Sequence, residues 1–136
     1  AQSILGMEDS SHAEISPDGT NQIISQLSCS LVGRTEKVLL QVSSKSHGFY
    51  QKLEVEEAFR CSFGLNENFR EKIGSRDLSI TAVDKVGAAR ILELDNHPFF
   101  IATLFLPQLS STSESPHPLI SAFLHAALDY KRERKP

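Results

Sequence analysis

The amino-acid sequence predicts a mixed α/β fold in which strands outnumber helices. Short runs of apolar and β-branched residues, separated by turn residues, recur through most of the chain. Only two segments have the spacing of apolar residues that is typical of a helix. The 136 residues are 40% hydrophobic and 23% charged, which is the composition of a globular domain rather than of a disordered chain.

Six segments are predicted to be extended, each bounded by polar or turn residues. They are residues 22–32, 35–42, 53–63, 78–83, 89–94 and 99–105. The last is almost entirely apolar, which is typical of a strand that is buried on both faces. Residues 84–87 predict a hairpin turn between the fourth and fifth strands. Residues 10–21, 43–48 and 110–115 are polar and predict loops.

Two helices are predicted. Residues 66–74 form the first, because Asn66 is a good N-cap and Gly74 is typical of a helix end. Residues 119–132 form the second, which is the strongest helical pattern in the chain. Its apolar residues form one stripe, as in an amphipathic helix: Ile120, Phe123, Leu124, Ala127 and Leu128.

The charge distribution argues against a nucleic-acid partner. The net charge is −3, but residues 131–136 carry four bases and one acid, so residues 1–130 carry −6. A nucleic-acid binder spreads its bases along one face, whereas these bases crowd the end of a predicted helix. No apolar run approaches the length of a membrane-spanning helix, so we expect no membrane partner either.

The chain has no motif typical of a cofactor or metal site. It contains neither a glycine-rich phosphate loop nor a Cys/His cluster with metal-ligand spacing, so we expect no cofactor and no metal. Cys29 and Cys61 are too few for a disulfide framework, which favours a reducing, cytoplasmic environment. Both lie in predicted strands, where a cysteine is usually a small buried apolar residue.

Several segments, taken in order, resemble a known family. Residues 96–109 read NHPFFIATLFLPQL, and Ser-Thr at 111–112 and His-Pro-Leu at 117–119 follow. This series resembles the end of the glutamine amidotransferase domain of CTP synthase, which reads approximately N-H-P-W/F-F-V-A-x-Q-F-H-P-E-F, then S-x-P, then H-P-L-F. Residues 5–14 resemble that family's G-x-x-x-A-N-S-T-E loop, and residues 60–66 resemble its R-H-R-Y-E-V-N segment.

The resemblance implies a flavodoxin-like, class I glutamine amidotransferase fold, of which this chain is the C-terminal part. Residues 1–136 would be the C-terminal portion of one such domain, with the strand-to-helix elbow that carries the nucleophilic cysteine before residue 1. It also implies a role related to pyrimidine metabolism and a small-molecule partner, an amide or amino acid such as glutamine. A homo-oligomer is left open.

The departures from the family pattern concern the catalytic residues. The His and Glu of the family's Cys-His-Glu triad fall on Leu106 and Gln108, and neither side chain can do the work of an imidazole base or a carboxylate. The family arginine that binds the substrate carboxylate falls on Ser62, which loses a charge-assisted contact. Glu14 matches the glutamate that binds the substrate's amino group, and Arg60 matches the first arginine of the R-H-R-Y segment.

Two hypotheses remain. In the first, the protein hydrolyses the amide of glutamine or a related compound through a cysteine upstream of residue 1, and His12, two residues from Glu14, replaces the missing base. In the second, it is a catalytically inactive amidotransferase-like module that binds a ligand or regulates a partner. The other histidines, including His97 and His117 at the entry of a predicted strand and helix, are interpreted as structural.

Overall fold

The computed structural model describes residues 1–74 and 77–134, and in this part of the chain the strands form two sheets. The strands are β1 (Ser11–His12), β2 (Gln22–Gln26), β3 (Arg34–Leu40), β4 (Glu54–Phe59), β5 (Phe63–Leu65), β6 (Leu78–Val83), β7 (Ala89–Leu94) and β8 (Ile101–Thr103). The helices are α1 (Gln2–Leu5), α2 (Lys45–Tyr50), α3 (Arg70–Ile73) and α4 (Pro118–Glu133). Residues 135 and 136 of the basic tail lie outside the described residues.

The larger sheet has five strands in the order β4-β3-β6-β7-β8, and every pair in it is antiparallel. Strands β6 and β7 have the bounds that the sequence predicts, and the turn between them is the predicted hairpin. Asp84 fixes this turn, because its Oδ1 accepts hydrogen bonds from the backbone N–H groups of Val86 and Ala88. Gly87 completes it at φ 87°, a conformation that favours glycine.

The smaller sheet has three strands in the order β1-β2-β5. The segment 22–32, predicted to be one strand, is extended only as far as Gln26, and 53–63 is broken between β4 and β5. The small sheet approaches the larger one at Gly64. A Cβ there would lie 2.7 Å from Leu27 Cδ2, just after β2, and 3.4 Å from Leu104 Cδ2, just after β8, so a side chain at this position would crowd Leu27.

The predicted helix at 66–74 is confirmed, in the form of a 3₁₀ turn at Glu67–Phe69 followed by α3. Asn66 caps it as expected, since its Oδ1 accepts from the N–H of Asn68 at 3.1 Å. Gly74 ends it.

The predicted loop at 43–48 is wrong, because most of it forms α2. Ser44 caps this helix by accepting from the N–H of His47. The buried carboxylate of Glu93 accepts from the N–H groups of Lys45 and Ser46, at 2.9 and 2.8 Å. Glu93 is 47 residues away from Ser46 in the sequence, so the local pattern does not contain the contact that stabilises this helix.

The prediction for residues 99–105 is wrong in its burial. Only Ile101–Thr103 forms a strand, β8, and it lies at the edge of the sheet with Ala102 exposed. Phe105 is the residue of this segment that is fully buried, and it packs with Val38, Phe59 and Ile91 in the core. The apolar run therefore supplies a core residue beyond the strand rather than a central strand.

Helix α4 has the predicted position, but its apolar stripe is not the face that packs. It buries Leu119 and Ala122 and packs against α2. Phe123, Leu124 and Leu128 of the stripe are 54%, 56% and 50% exposed. The helical period was readable from the sequence, whereas the choice of face depends on the small residues that let α4 approach α2.

Candidate functional site

The positions that match the family's His and Glu lie just beyond the edge strand β8. The N–H of Leu106 donates to the carbonyl of Ala58 in β4 at 3.0 Å, which holds this segment against the far edge of the sheet. Leu106 is half-buried, and Gln108 is exposed in a 3₁₀ turn at Pro107–Leu109. The side chains at these two positions are an aliphatic group and a neutral amide, which supply neither a general base nor a carboxylate.

The segment between β4 and β5 lies beside this turn. Cys61 Sγ donates to the carbonyl of Leu104 at 3.5 Å, two residues before Leu106. Ser62 Oγ is hydrogen-bonded to Ser30 Oγ at 2.9 Å, and Arg60 is exposed. The structure therefore places Cys61 in contact with the segment that leads to Leu106.

Neither cysteine has the surroundings of a nucleophile. Burial raises the pKa of the Cys61 thiol, and the nearby Arg90 charge opposes that rise only in part. The thiol form is therefore favoured, whereas an activated cysteine needs a depressed pKa. Cys29 is exposed in a loop after β2, so its predicted position in a buried strand is wrong.

His12 lies on the small sheet, and its ring packs against Phe63 with 5.6 Å between ring centroids. Its Nδ1 accepts a hydrogen bond from the N–H of Glu14 at 3.1 Å. The lone pair of the neutral ring is therefore on Nδ1 and is already engaged, and the proton is on Nε2. This ring accepts a proton only after the contact with the Glu14 backbone breaks.

The loop that carries His12 and Glu14 contacts the segment of Ser62, because the His12 ring packs against Phe63, which follows Ser62. Glu14 is exposed. Among residues 1–74 and 77–134, no hydrogen bond or ion pair joins His12 or Glu14 to Leu106 or Gln108. Within the described residues, the candidate residues thus do not form a connected catalytic network.

A buried polar cluster that the sequence does not predict is built on Glu57 of β4. It consists of Tyr50, Glu57 and His117, which we call the Glu57 cluster. Glu57 Oε1 accepts from the Tyr50 hydroxyl and lies 3.0 Å from His117 Nε2. The side chains of Glu57 and His117 are 3% and 4% exposed. His117, interpreted from the sequence as structural, is thus a fully buried member of a three-residue network.

The N-terminus of α4 orients the His117 ring. Its Nδ1 accepts from the N–H of Leu119 at 3.2 Å, so the proton of the neutral ring is on Nε2 and points at Glu57. Burial, followed by the hydrogen bond to Glu57, raises the pKa of Tyr50. Tyr50 is therefore a hydroxyl donor, and Glu57 is the acceptor for both neighbours.

One signal for this cluster was present in the sequence. In β4 the alternation places Val55, Glu57 and Phe59 on one face, and this face is the buried one. A carboxylate among inward-facing apolar residues predicts a buried partner. Its partner His117 lies 60 residues away, so the sequence does not identify it.

A pocket of about 510 Å³ adjoins the Glu57 cluster at the edge of β4. It is lined by the three cluster residues, by Lys52 and Glu56, and by the loop that leads into α4. In the described part of the chain, no group of three or more His, Cys, Asp or Glu side chains is arranged to hold a metal ion. None of the described helices is long and apolar enough to cross a membrane.

Comparison with known proteins places the fold and the sequence in one family. No protein-family model matches the chain. It is 34% identical to a CTP synthase of Geobacter sulfurreducens and 30% identical to one of Cytophaga hutchinsonii, in each case over 99% of this chain and 27% of the relative. The glutaminase domain of Trypanosoma brucei CTPS, solved with bound acivicin, superposes with a TM-score of 0.86 over 94% of this chain and 54% of that chain, at 23% identity.

The chain is homologous to the glutamine amidotransferase domain of CTP synthase. A GMP synthase component from Thermoplasma acidophilum has the same type of fold, with a TM-score of 0.63 over 83% of this chain and 52% of that chain, at 15% identity. The predicted class I amidotransferase fold is thereby confirmed, as a partial α/β fold with mixed sheets. This amidotransferase-like chain spans about a quarter of the length of the CTP synthases that it matches.

Proposed function

We propose that the protein is a CTP-synthase-like amidotransferase that hydrolyses the amide of glutamine or a related compound without the usual triad. The nucleophile of this proposal is a cysteine on an elbow upstream of residue 1, since neither Cys29 nor Cys61 is activated. Residues 1–136 are then the C-terminal portion of one amidotransferase domain, in a cytoplasmic protein. The observation that supports the proposal is the contact of Cys61 with the carbonyl of Leu104, which joins the segment of the proposed substrate contacts Arg60 and Ser62 to the segment that leads to Leu106.

Glu14, Arg60 and Ser62 are the proposed substrate contacts. Glu14 and Arg60 are exposed, so both charges are available to an amino acid zwitterion. Ser62 offers a hydroxyl where the family has an arginine, so the substrate carboxylate is held by fewer charge-assisted hydrogen bonds. We expect weaker binding of glutamine than an intact arginine site provides.

A second candidate function is favoured by the geometry of His12. Because its Nδ1 already accepts from the Glu14 N–H, the ring that is proposed as the base is not ready to take a proton. With Leu106 and Gln108 in the triad positions, the domain then lacks proton transfer and acts as a ligand-binding or regulatory module.

Ammonia release from glutamine by the intact protein distinguishes the two functions. We expect turnover that falls by about 10²–10⁴-fold in His12→Ala, the usual contribution of a general base. His125→Ala is the matched control, because His125 is exposed on α4 and distant in the sequence from the candidate site. Unchanged turnover in His12→Ala eliminates His12 as the base.

The binding-module function predicts a different result. Glutamine or glutamate raises the melting temperature without turnover, because a ligand that binds only the native state stabilises it. Glu14→Gln reduces this shift, since it removes the carboxylate proposed to hold the amino group. Absence of both turnover and any thermal shift would exclude both functions.

A further inference from the structure

The turn between β7 and β8 surrounds the side-chain ammonium of Lys45, the first residue of α2. Nζ of Lys45 donates hydrogen bonds to the backbone carbonyls of Leu94, Asp95 and His97, at 3.0, 3.1 and 3.0 Å. These acceptors lie 49 to 52 residues further along the chain. The contacts therefore join α2 to the turn and are not part of the local structure of either.

The three contacts require the charged form of Lys45. A carbonyl oxygen can only accept, so each contact uses a separate hydrogen on Nζ. The ammonium group has three hydrogens, whereas a neutral amine has two, so the ammonium alone can make all three contacts. Its charge also strengthens them, because charge-assisted hydrogen bonds are roughly twice as strong as neutral ones. The turn thus holds a positive charge by means of backbone dipoles.

The carbonyls have the spacing of a site for an ammonium-type cation. The distances of 3.0 and 3.1 Å are normal for N–H···O hydrogen bonds. They are too long for Ca²⁺, which needs about 2.3–2.6 Å, or for Mg²⁺, which needs about 2.0–2.1 Å. Among residues 1–74 and 77–134, no ion pair involves Lys45, so its ammonium is bound by carbonyl oxygens.

This turn leads to the candidate triad positions. Residues 95–100 connect β7 to β8, and the segment of Leu106 follows β8. Phe99 in the turn stacks against Phe49 of α2, with 5.9 Å between the ring centroids. Helix α2 therefore holds the turn by an apolar contact and by the ammonium of Lys45, and the ammonium is the contact that satisfies backbone carbonyls.

We propose that the carbonyls of Leu94, Asp95 and His97 form a binding site for a monovalent, ammonium-type cation, which the Lys45 side chain occupies. Occupation of this site positions the turn that precedes β8. When the side-chain ammonium is removed, a free alkylammonium ion binds in its place and restores the turn. The site does not depend on the function proposed above, because it is built from a different set of contacts.

Hydrogen exchange of the intact Lys45→Ala variant tests the proposal. Alanine keeps the backbone N–H that donates to Glu93, so the change removes the side-chain contacts alone. We expect exchange at the amides of Leu94 and Phe99 to accelerate at least about tenfold, because both donate to acceptors within the turn. Lys52→Ala, at an exposed position, is the control and should leave both amides unchanged. Unchanged exchange in Lys45→Ala overturns the proposal.

Rescue of this variant distinguishes a cation site from a side chain that only fills space. Propylammonium supplies the atoms from Cγ to Nζ that Lys45→Ala removes, and propan-1-ol is the matched neutral probe. We expect propylammonium to slow exchange at Phe99 saturably towards the wild-type rate, and propan-1-ol to have no effect. Equal effects of the two probes, or no effect of propylammonium, contradict the cation site.

A measurement on the unsubstituted protein does not depend on the folding of a variant. Acetylation by an N-hydroxysuccinimide ester requires a free neutral amine, and Nζ of Lys45 must first leave its three acceptors. We expect Lys45 to be acetylated at least about tenfold more slowly than the exposed Lys52. Mass spectrometry of timed samples measures both rates, and equal rates show that the ammonium is not held in the turn.

Discussion

At the scale of single residues, His117 has two roles in one ring. Its Nδ1 accepts the N–H of Leu119 and so caps α4, while Nε2 faces Glu57. The cap and the buried contact are therefore coupled, because both depend on the same tautomer. The proline of the H-P-L motif is predicted from the sequence to mark the entry of a helix, and α4 does begin at Pro118, whereas the cap by His117 was not predicted. The contact with Glu57 is the part that local sequence does not contain.

His117→Asn is expected to destabilise the protein by roughly 1–3 kcal/mol, the usual cost of leaving a buried hydrogen-bonding group without one of its partners. Asparagine is itself a good N-cap, so the change isolates the contact with Glu57 from the cap. Urea unfolding with and without the substitution measures the difference. The exposed His125→Asn is the control and should change stability by no more than about 0.5 kcal/mol. A small effect of His117→Asn would mean that Glu57 is stabilised by other groups.

The two cysteines should differ in reactivity. Cys29 is exposed, whereas Cys61 is half-buried, and burial raises its thiol pKa. The thiolate is the form that reacts, so at mildly alkaline pH we expect iodoacetamide to modify Cys29 first and Cys61 much more slowly. Mass spectrometry of timed samples, with Cys29→Ser as the control, measures both rates. Faster modification of Cys61 would show that its thiol is activated.

At the scale of elements, the sequence correctly predicted those elements that are stabilised by contacts within a few residues. Strands β6 and β7 and the turn fixed by Asp84 were predicted with their bounds, because alternation and turn chemistry lie within a few residues. Helix α2 was missed, because its N-terminus is stabilised by Glu93 from a distant strand. The packing face of α4 was missed for the same kind of reason, since Leu119 and Ala122 are selected by α2. The same limit applies to the candidate site. Family motifs pointed to Leu106 and Ser62, whereas no motif pointed to the Glu57 cluster, whose residues are far apart in the sequence.

Glu93→Gln is expected to weaken α2 more than the rest of the fold. The amide presents one oxygen in place of two, so one of the donors at Lys45 and Ser46 loses its acceptor. We expect a loss of roughly 1–3 kcal/mol in unfolding free energy. Hydrogen exchange should also accelerate at the backbone amides of Lys45 and Ser46. The exposed Glu71→Gln in α3 is the control, and unchanged exchange at Ser46 would contradict the assigned contact.

At the scale of the whole molecule, β5 of the small sheet lies beside the segment that follows β8 of the larger sheet. The backbone at Gly64 lies against Leu27 and Leu104, and Leu104 precedes the turn that holds Leu106 and Gln108. This is one of the contacts between the small sheet, which carries His12, and the segment that leads to the candidate triad positions. The packing of the two sheets depends on contacts between residues far apart in the sequence, so it was not predicted.

Gly64→Ala should force a shift within the small sheet, between β5 and the residue that follows β2. The added Cβ would lie 2.7 Å from Leu27 Cδ2, so the neighbouring side chain or the strand must shift. Overpacking of this kind costs typically about 1–3 kcal/mol, which thermal or urea unfolding detects. Gly48→Ala is the matched control, because a Cβ there meets nothing within 4 Å and lies in α2. We expect the control to be neutral or slightly stabilising, and equal effects of the two changes would contradict the close contact.

The two edges of the larger sheet also determine how the protein behaves towards other copies of itself. The carbonyls of Leu53 and Phe59 accept hydrogen bonds from β3 and from the turn beside it. The carbonyl of Ala58 points away from β3 and accepts a hydrogen bond from the N–H of Leu106. The rest of that outer edge carries Glu54 and Glu56, and β8 at the opposite edge is only three residues long. Like-charged or very short edges discourage strand addition from a second chain. The sheet is therefore protected against amyloid-like growth at both ends.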